Sequence, residues 1–383
     1  MIKDIVHDKS KYTFQALEEA INYFTEFMKN KEGSNWNFYV DLLPKILEWA
    51  RDFSQSSTIQ LSERQIESKI ALNTHQIRHI IANSFFLNVS DLVSSFGEQG
   101  RYIGMLNFYQ LYHDRSRISR ERIICQLSYF EQAKAVPLSL VSFDRYVMPT
   151  PEDQSKETEE SPLQYPPSWK TDQTIVNASL VNCHSGDMES PQAQAFVDFA
   201  NQDLHIGCII PSMTQEEVLF SCCPELFVGL LFVERFDANE VMIIRGANRY
   251  SSYSGYGHTF RFTGFYKPNE FVKQDIVVID ACTMGQYCVA YMNRDLNKAW
   301  KSFLEAGGTI STGHWGCGAF GGNKILKFVQ QLCAATKANV RLEYSTYKDD
   351  ACLSELNSLL HAFTSFRPTI AELFRICHEY SSK

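Results

Sequence analysis

Residues Phe196–Phe220 run FVDFANQDLHIGCIIPSMTQEEVLF. The stretch opens with a short apolar run, passes through a loop-like segment and reaches two adjacent glutamates, Glu216 and Glu217, before a second apolar run. In a regular strand, neighbours point to opposite faces, so one glutamate would face solvent and the pair would be an ordinary strand end. Both can enter one site only if the backbone is irregular there. The preceding Pro211-Ser212 places them at the point where loop becomes strand. Two carboxyls in a partly dry cleft repel, so one can hold a proton near neutral pH and act as a general acid. Hydrolysis of a glycosidic bond uses that pairing.

Outward from this stretch, strand-like and helix-like segments alternate. QTIVNASLV, QAFVDFA, NEVMIIRG, TFRFTGFY, DIVVIDA and NVRLEYSTY are strand candidates. PELFVGLLFVERF, with Pro224 at a helix-start position, RDLNKAWKSFLEA, NKILKFVQQLCAATKA and LSELNSLLHAF are helical. The alternation predicts an α/β fold for residues 170–383, an α/β/α sandwich with a mixed sheet. Residues 1–148 show helical spacing, as in Leu42, Leu43, Ile46, Leu47 and Trp49, and predict an all-α accessory region; strand-like alternation appears only near Leu138. Between them, residues 149–169 carry five prolines and many charges, the composition of a linker or mobile loop.

The 383 residues carry a net charge of −8, which argues against a generic binder of nucleic acid and leaves room for a locally positive anion pocket. The 11 cysteines form no C-x-x-C pair, so zinc-ribbon and thioredoxin chemistry lack their spacing. Scattered thiols, no apolar signal core and no run long enough to span a bilayer predict an intracellular protein without a membrane segment.

Other motifs carry less. Gly316-Cys-Gly-Ala-Phe-Gly321 matches G-x-G-x-x-G, but the preceding EAGGTISTGHW is polar and shows no buried strand. A parallel strand ending there would favour a nucleotide-dependent oxidoreductase. The glycines between Gly307 and Gly322 exceed what one turn needs and suggest a phosphate-facing loop before a helix N-terminus. His75 and His79 sit four apart on a predicted helix without a third ligand, so no metal site is expected. The basic run from His113 to Arg122 reads as a solvated loop and helix start.

Taken in order, VDFAN, TQEEVLF, CCPELFVGLLF, YSSYSGYGHTFRF and TGHWGCGAFGG resemble the signature blocks of the poly(ADP-ribose) glycohydrolase family. HQIRHIIANSFF, LNFYQLY and LSYFEQAKAVPLSLVSFDR are similar to its helical accessory region, so the resemblance spans about residues 60–380. It implies a macrodomain-like α/β/α sandwich with a mixed sheet, preceded by an all-α accessory region. It also implies cleavage of ribose–ribose O-glycosidic bonds in poly(ADP-ribose), without a cofactor or metal. By resemblance Glu217 is the general acid that later activates water, and Glu216 and Asn201 hold the ribose. Asp198, Gly207 and Gln215 join the substrate contacts; Tyr256 lies over ADP-ribose; His314, Gly316, Gly318 and Phe320 line the diphosphate and distal ribose. Tyr344 or Tyr347 stacks on adenine. The implied partners are poly(ADP-ribose) or ADP-ribosylated proteins, with a monomeric chain in the nucleus or cytoplasm, no sequence-specific nucleic-acid binding and a place in the DNA-damage response.

Two positions depart from the family pattern. Three consecutive glycines are replaced by His205-Ile206-Gly207, and an asparagine by His314. The glycines let the loop wrap a diphosphate with its backbone, which two side chains, one β-branched, restrict. A catalytically weak or inactive ADP-ribose reader with the same cleft is therefore the alternative to an active glycosidase.

Overall fold

The computed structural model describes residues 14–55, 58–89, 106–150, 153, 163–189, 193–204, 210–266 and 274–380. Gly207 and the rest of the His205-Ile206-Gly207 loop lie outside them, as does most of the 149–169 segment.

The amino-terminal part is largely helical. It contains α1 (Gln15–Glu32), α2 (Leu43–Arg51), α3 (Thr74–Phe85), a short α4 (Tyr109–His113) and α5 (Arg117–Ala133). It also contributes two strands, β1 (Ser68–Asn73) and β2 (Leu140–Val147), and these belong to the main sheet. The segment SKIALN alternates in burial, with Ile70 and Leu72 inward. It is too short to stand out in a helical neighbourhood, and pairing with β2 is what fixes it as strand.

The remaining strands are β3 (Val181–His184), β4 (Ala195–Ala200), β5 (Glu240–Arg245), β8 (Asp275–Asp280), β9 (Thr309–Thr312) and β10 (Arg341–Ser345), with β6 (Ser251–Ser254) and β7 (Arg261–Phe265) as a separate hairpin. The eight-stranded sheet runs β1-β2-β5-β8-β4-β9-β10-β3. Pairs are antiparallel from β1 to β8 and parallel from β8 to β3, so the sheet is mixed.

Three local expectations change. QTIVNASLV becomes strand only from Val181, because the Asn177 side chain accepts from Ser179 N–H at 3.2 Å and holds a 3-10 turn over Ala178–Leu180. Pro224–Leu231 is 3-10 rather than α-helical. A parallel strand, β9, does precede the G-x-G-x-x-G motif. Its Ser311 and Thr312 are buried with their hydroxyls bonded to Met188 O and Gln331 Oε1, which makes a polar stretch compatible with a central strand. This strand does not restore the dinucleotide reading. In that fold the glycines open the helix, whereas here the next helix, α8 (Lys324–Ala338), begins only after the last glycine of the motif, with Asn323 as its N-cap.

Strand alternation divides the core into two layers. Phe196, Met242, Ile244, Ile276 and Val278 face the amino-terminal helices, joined on that side by α6 (Gln215–Cys222). Val197, Val241, Ile243, Val277 and Ile279 face α7 (Val289–Ala306), α8 and α10 (Ile370–Tyr380), while α9 (Asp350–Phe366) adds Cys352 and Leu356. The chain thus leaves β4 for α6 on one face and β9 for α8 on the other. Adjacent parallel strands whose connections depart to opposite faces open a crevice at their carboxyl ends. Here β4 and β9 pair only at Ala195–Ile310 and Phe196–Ser311, so the crevice starts right after Phe196.

Buried charges tie the amino-terminal part to the rest of the chain. Arg145 on β2 bonds Glu240 on β5 at 2.9 Å, both side chains fully buried. On α5, Glu121 accepts from Phe262 N–H at 2.9 Å, and Arg122 donates to Ser212 O at 2.9 Å and to Ile210 O. The basic run is solvated at its start, where His113 and Arg115 are exposed, but it ends inside the protein: Arg122 is buried and grips the segment that leads into α6.

Candidate active site

The crevice between β4 and β9 holds two adjoining chambers of about 220 and 60 Å³. Phe199, Gln215, Tyr256, His314 and Gly318 line both. The larger is mostly apolar, with Phe196, Val218, Leu219 and Tyr253, and has Glu189 at its wall. The smaller is walled by the glycine loop after β9, including Gly316 and Phe320.

The glycine loop owes its shape to two anchors. Trp315 is fully buried and donates Nε1–H to Ile279 O at 3.0 Å. Gly316 has φ +73°, and a Cβ there would sit 2.5 Å from the Ala281 methyl, so only glycine fits this close packing. Gly318 faces open space. At the N-terminus of α8, Asn323 Oδ1 accepts from Leu326 N–H at 2.9 Å and so satisfies one of the free N–H groups of that helix start.

Glu216 and Glu217 lie in the first turn of a helix, not at a strand start. The sequence Thr214-Gln-Glu-Glu is a capping pattern: the Glu217 carboxylate accepts from Thr214 N–H at 2.5 Å and from the Thr214 hydroxyl, both at Oε2. Helical geometry therefore lets neighbours be buried together, each only 4% exposed. Gln215 fastens this turn to the open edge of β4, accepting from Phe199 N–H at 2.7 Å and donating to Val197 O at 3.0 Å. Both ends of its amide are thus used on backbone, which holds the first turn of α6 against β4.

Asp198 alternates to the same face of β4 as Phe196 and lies beneath this turn. It is fully buried, and neither carboxyl oxygen has a hydrogen-bond partner among the described residues. Burial, and after it the Glu217 carboxylate, push the Asp198 carboxyl well above the usual range. The folded chain keeps a proton there that the unfolded chain releases above about pH 4. Stability from this group is therefore lost as pH rises from about 4 through the folded-state value. Asp198→Asn, which has no proton to lose, is expected to raise the denaturation midpoint at about pH 7. The gap should close toward about pH 4. Unfolding curves across that range check this, and a variant less stable than the parent at every pH would mean the carboxyl is held ionised.

Tyr256 and Tyr347 flank the mouth, ring centroids 5.6 Å apart. Tyr256 is 42% exposed, and burial of its phenol, then the nearby Glu217 carboxylate, raise its pKa. Tyr347 lies just past β10 with φ +45°, an unusual conformation for an aromatic residue that turns it out of the sheet. Tyr344, the next-to-last residue of the strand, is fully buried, edge-on to Phe328 at 5.0 Å. Of the two tyrosines offered for stacking, Tyr344 has no face open to a ligand, because strand alternation turns it into the core. Its hydroxyl instead meets His314 Nδ1 at 3.2 Å. Burial, and then the Lys324 ammonium, bring the His314 pKa down to about 4, so the ring is neutral at physiological pH.

Gln215, Tyr256, His314, Gly316, Gly318, Phe320 and Tyr347 thus line the crevice. Asp198, Glu216 and Glu217 are buried beside it, Asn201 has its Oδ1 turned to Asp203 N–H at 3.2 Å, and none of these four is among the lining residues. Sequence reasoning missed Met188, Glu189 and Tyr253, which lie in the larger chamber, with the Tyr253 hydroxyl on Glu189. Met188 and Glu189 sit on irregular chain before β4, where no periodicity marks them.

Comparison with known proteins agrees with this architecture. Residues 166–354 match the macro-domain fold of poly(ADP-ribose) glycohydrolase and residues 28–145 its helical domain. A probable poly(ADP-ribose) glycohydrolase 2 of Arabidopsis thaliana is 27% identical over 384 residues, covering 85% of this chain and 72% of the relative. Poly(ADP-ribose) glycohydrolase 1 of the same plant is 24% identical over 462 residues (94% and 81%), and poly(ADP-ribose) glycohydrolase 2 of Caenorhabditis elegans 24% over 432 (96% and 86%).

Proposed function

We propose, since the chain belongs to the poly(ADP-ribose) glycohydrolase family, that it hydrolyses the ribose–ribose O-glycosidic bonds of poly(ADP-ribose) and releases ADP-ribose. The observation that carries this reading is the burial of Asp198, Glu216 and Glu217 together beside the crevice between β4 and β9. A protein that only bound the ligand would have little use for three buried carboxyls.

In this reading Glu217 gives its proton to the departing ribose oxygen as the bond to the anomeric carbon breaks. An oxocarbenium-like sugar remains, and the Glu217 carboxylate takes a proton from the water that attacks it. Thr214 keeps Oε2 oriented, leaving Oε1 for the substrate. Glu216 and Asn201 hold the ribose. The neutral Asp198 carboxyl adds no negative charge beside Glu217, so the Glu217 anion left after proton transfer to the leaving oxygen meets no second buried anion. The glycine loop with Gly316, Gly318 and Phe320 takes the diphosphate side, and the apolar chamber takes the adenine.

Tyr347 stacks on that adenine. Tyr347→Ala is expected to weaken ADP-ribose binding by roughly 1–3 kcal/mol, about 5- to 150-fold in Kd. Calorimetric titration with ADP-ribose checks it; an unchanged Kd would remove Tyr347 from the site.

The decisive experiment is release of free ADP-ribose from purified poly(ADP-ribose). Steady release supports the glycosidase. Binding of ADP-ribose without release would make the chain a reader, the second reading favoured by His205 and Ile206 in place of two family glycines.

A further inference from the structure

Three side chains from separate segments meet beside the crevice. His314 follows β9, Asp349 follows β10, and Cys352 lies in the first turn of α9. One ligand-type atom from each lies within 4.8 Å of the other two. We propose that His314, Asp349 and Cys352 bind a thiophilic divalent cation of the zinc class, and that its occupancy antagonises ligand binding in the crevice.

The donor set is one imidazole nitrogen, one carboxylate oxygen and one thiolate sulfur. That mixture selects zinc-like ions over magnesium or calcium, which prefer oxygen alone. Ligands of a tetrahedral zinc stand about 3–4 Å from one another. Small side-chain rotations close the present set onto one ion.

Each ligand is prepared in a different way. His314 Nε2 is buried with no hydrogen-bond partner among the described residues, while Nδ1 meets the Tyr344 hydroxyl. A metal-bound imidazole uses its second nitrogen in that manner. Asp349 divides its oxygens: Oδ1 accepts from Cys352 N–H at 3.0 Å and caps α9, while Oδ2 accepts from Lys324 Nζ at 2.7 Å. Lys324 is 45% exposed and its side chain can swing into solvent, so an incoming cation takes the place of an ammonium and leaves the cap intact. Cys352 is buried, and binding releases its thiol proton to solvent as the metal–sulfur bond forms. The fourth position is left to water.

The cation would pull His314 toward Asp349 and away from both chambers. The binding site does not depend on the proposed reaction; only the antagonism rests on that reading of the crevice.

Titration of the full chain with Co²⁺ tests the site without any activity measurement. One equivalent is expected to give an intense thiolate-to-cobalt absorption, absent in Cys352→Ser and displaced by Zn²⁺. No such band, or the same band in Cys352→Ser, overturns the proposal. Lys324→Met provides an independent arm that leaves every ligand in place: losing the competing ammonium should tighten Zn²⁺ binding up to about fivefold. Unchanged or weaker binding in that variant would also overturn it. If the chain releases ADP-ribose, Zn²⁺ should inhibit the parent, while Cys352→Ser keeps the basal rate and loses the inhibition.

Discussion

Glu217→Gln is expected to leave ADP-ribose bound and to slow its release from poly(ADP-ribose) by about 10²–10⁴-fold, the usual worth of a positioned general acid and base. The substitution isolates the proton. Glutamine keeps an acceptor for Thr214 N–H and is the other residue a capping box admits at this position, so the first turn of α6 should persist. Gln215 still ties that turn to β4 through Phe199 and Val197. What disappears is the carboxyl that, in the proposed mechanism, gives a proton to the leaving oxygen and then takes one from water. Rate and affinity must therefore separate: kcat falls, and the ADP-ribose Kd stays within about twofold, since no contact to the bound ligand is removed. Near-parental turnover would place the acid elsewhere, with Glu216 as the first alternative. Loss of binding together with rate would show that the carboxylate positions the ligand rather than transferring its proton.

The second large effect is on stability. Asp295 on α7 is completely buried and receives Lys327 Nζ from α8, Arg294 Nη1 at 2.8 Å and Cys282 N–H at 3.1 Å. Lys327 is itself completely buried and lies 4.7 Å from the centre of the Trp315 ring, the anchor of the glycine loop. Asp295→Ala leaves an ammonium buried without its counter-charge, which costs about 3–5 kcal/mol. The denaturant midpoint should fall accordingly, and the loop around Gly316 should loosen because its tryptophan rests on the same lysine. Replacing both partners, Asp295→Leu with Lys327→Met, removes the stranded charge and should recover most of the loss. Equal destabilisation of single and double variants would mean that shape, not charge, holds α7 against α8.

Much of the site was legible before any coordinates, and the misreadings have physical causes. FVDFA reads as a strand from its short run of β-prone apolar residues, and the pleat of a strand puts Asp198 on the face with Phe196. Thr214-x-x-Glu217 carried a helix-start signature in plain view, yet the loop before it suggested a strand. Tyr344 and Tyr347 look equivalent along the chain. Only the end of β10 at Ser345 separates the one in the core from the one at the mouth. β9 escaped notice because a central strand four residues long can be polar when its neighbours satisfy its hydroxyls, and those neighbours, Met188 and Gln331, are distant in sequence.

By itself, then, the sequence determined the family, the alternation of strands and helices, and which residue types were available for acid–base chemistry, because these depend on local periodicity and ordered motifs. The tertiary structure decided where the crevice opens, since that depends on β4 parting from β9 beyond Phe196. It decided that Arg122 on α5 grips the approach to the glutamates. It also decided that His314, Asp349 and Cys352 meet at all. Contacts between segments far apart in the chain leave no periodic trace; they exist only once the sheet order has brought those segments side by side.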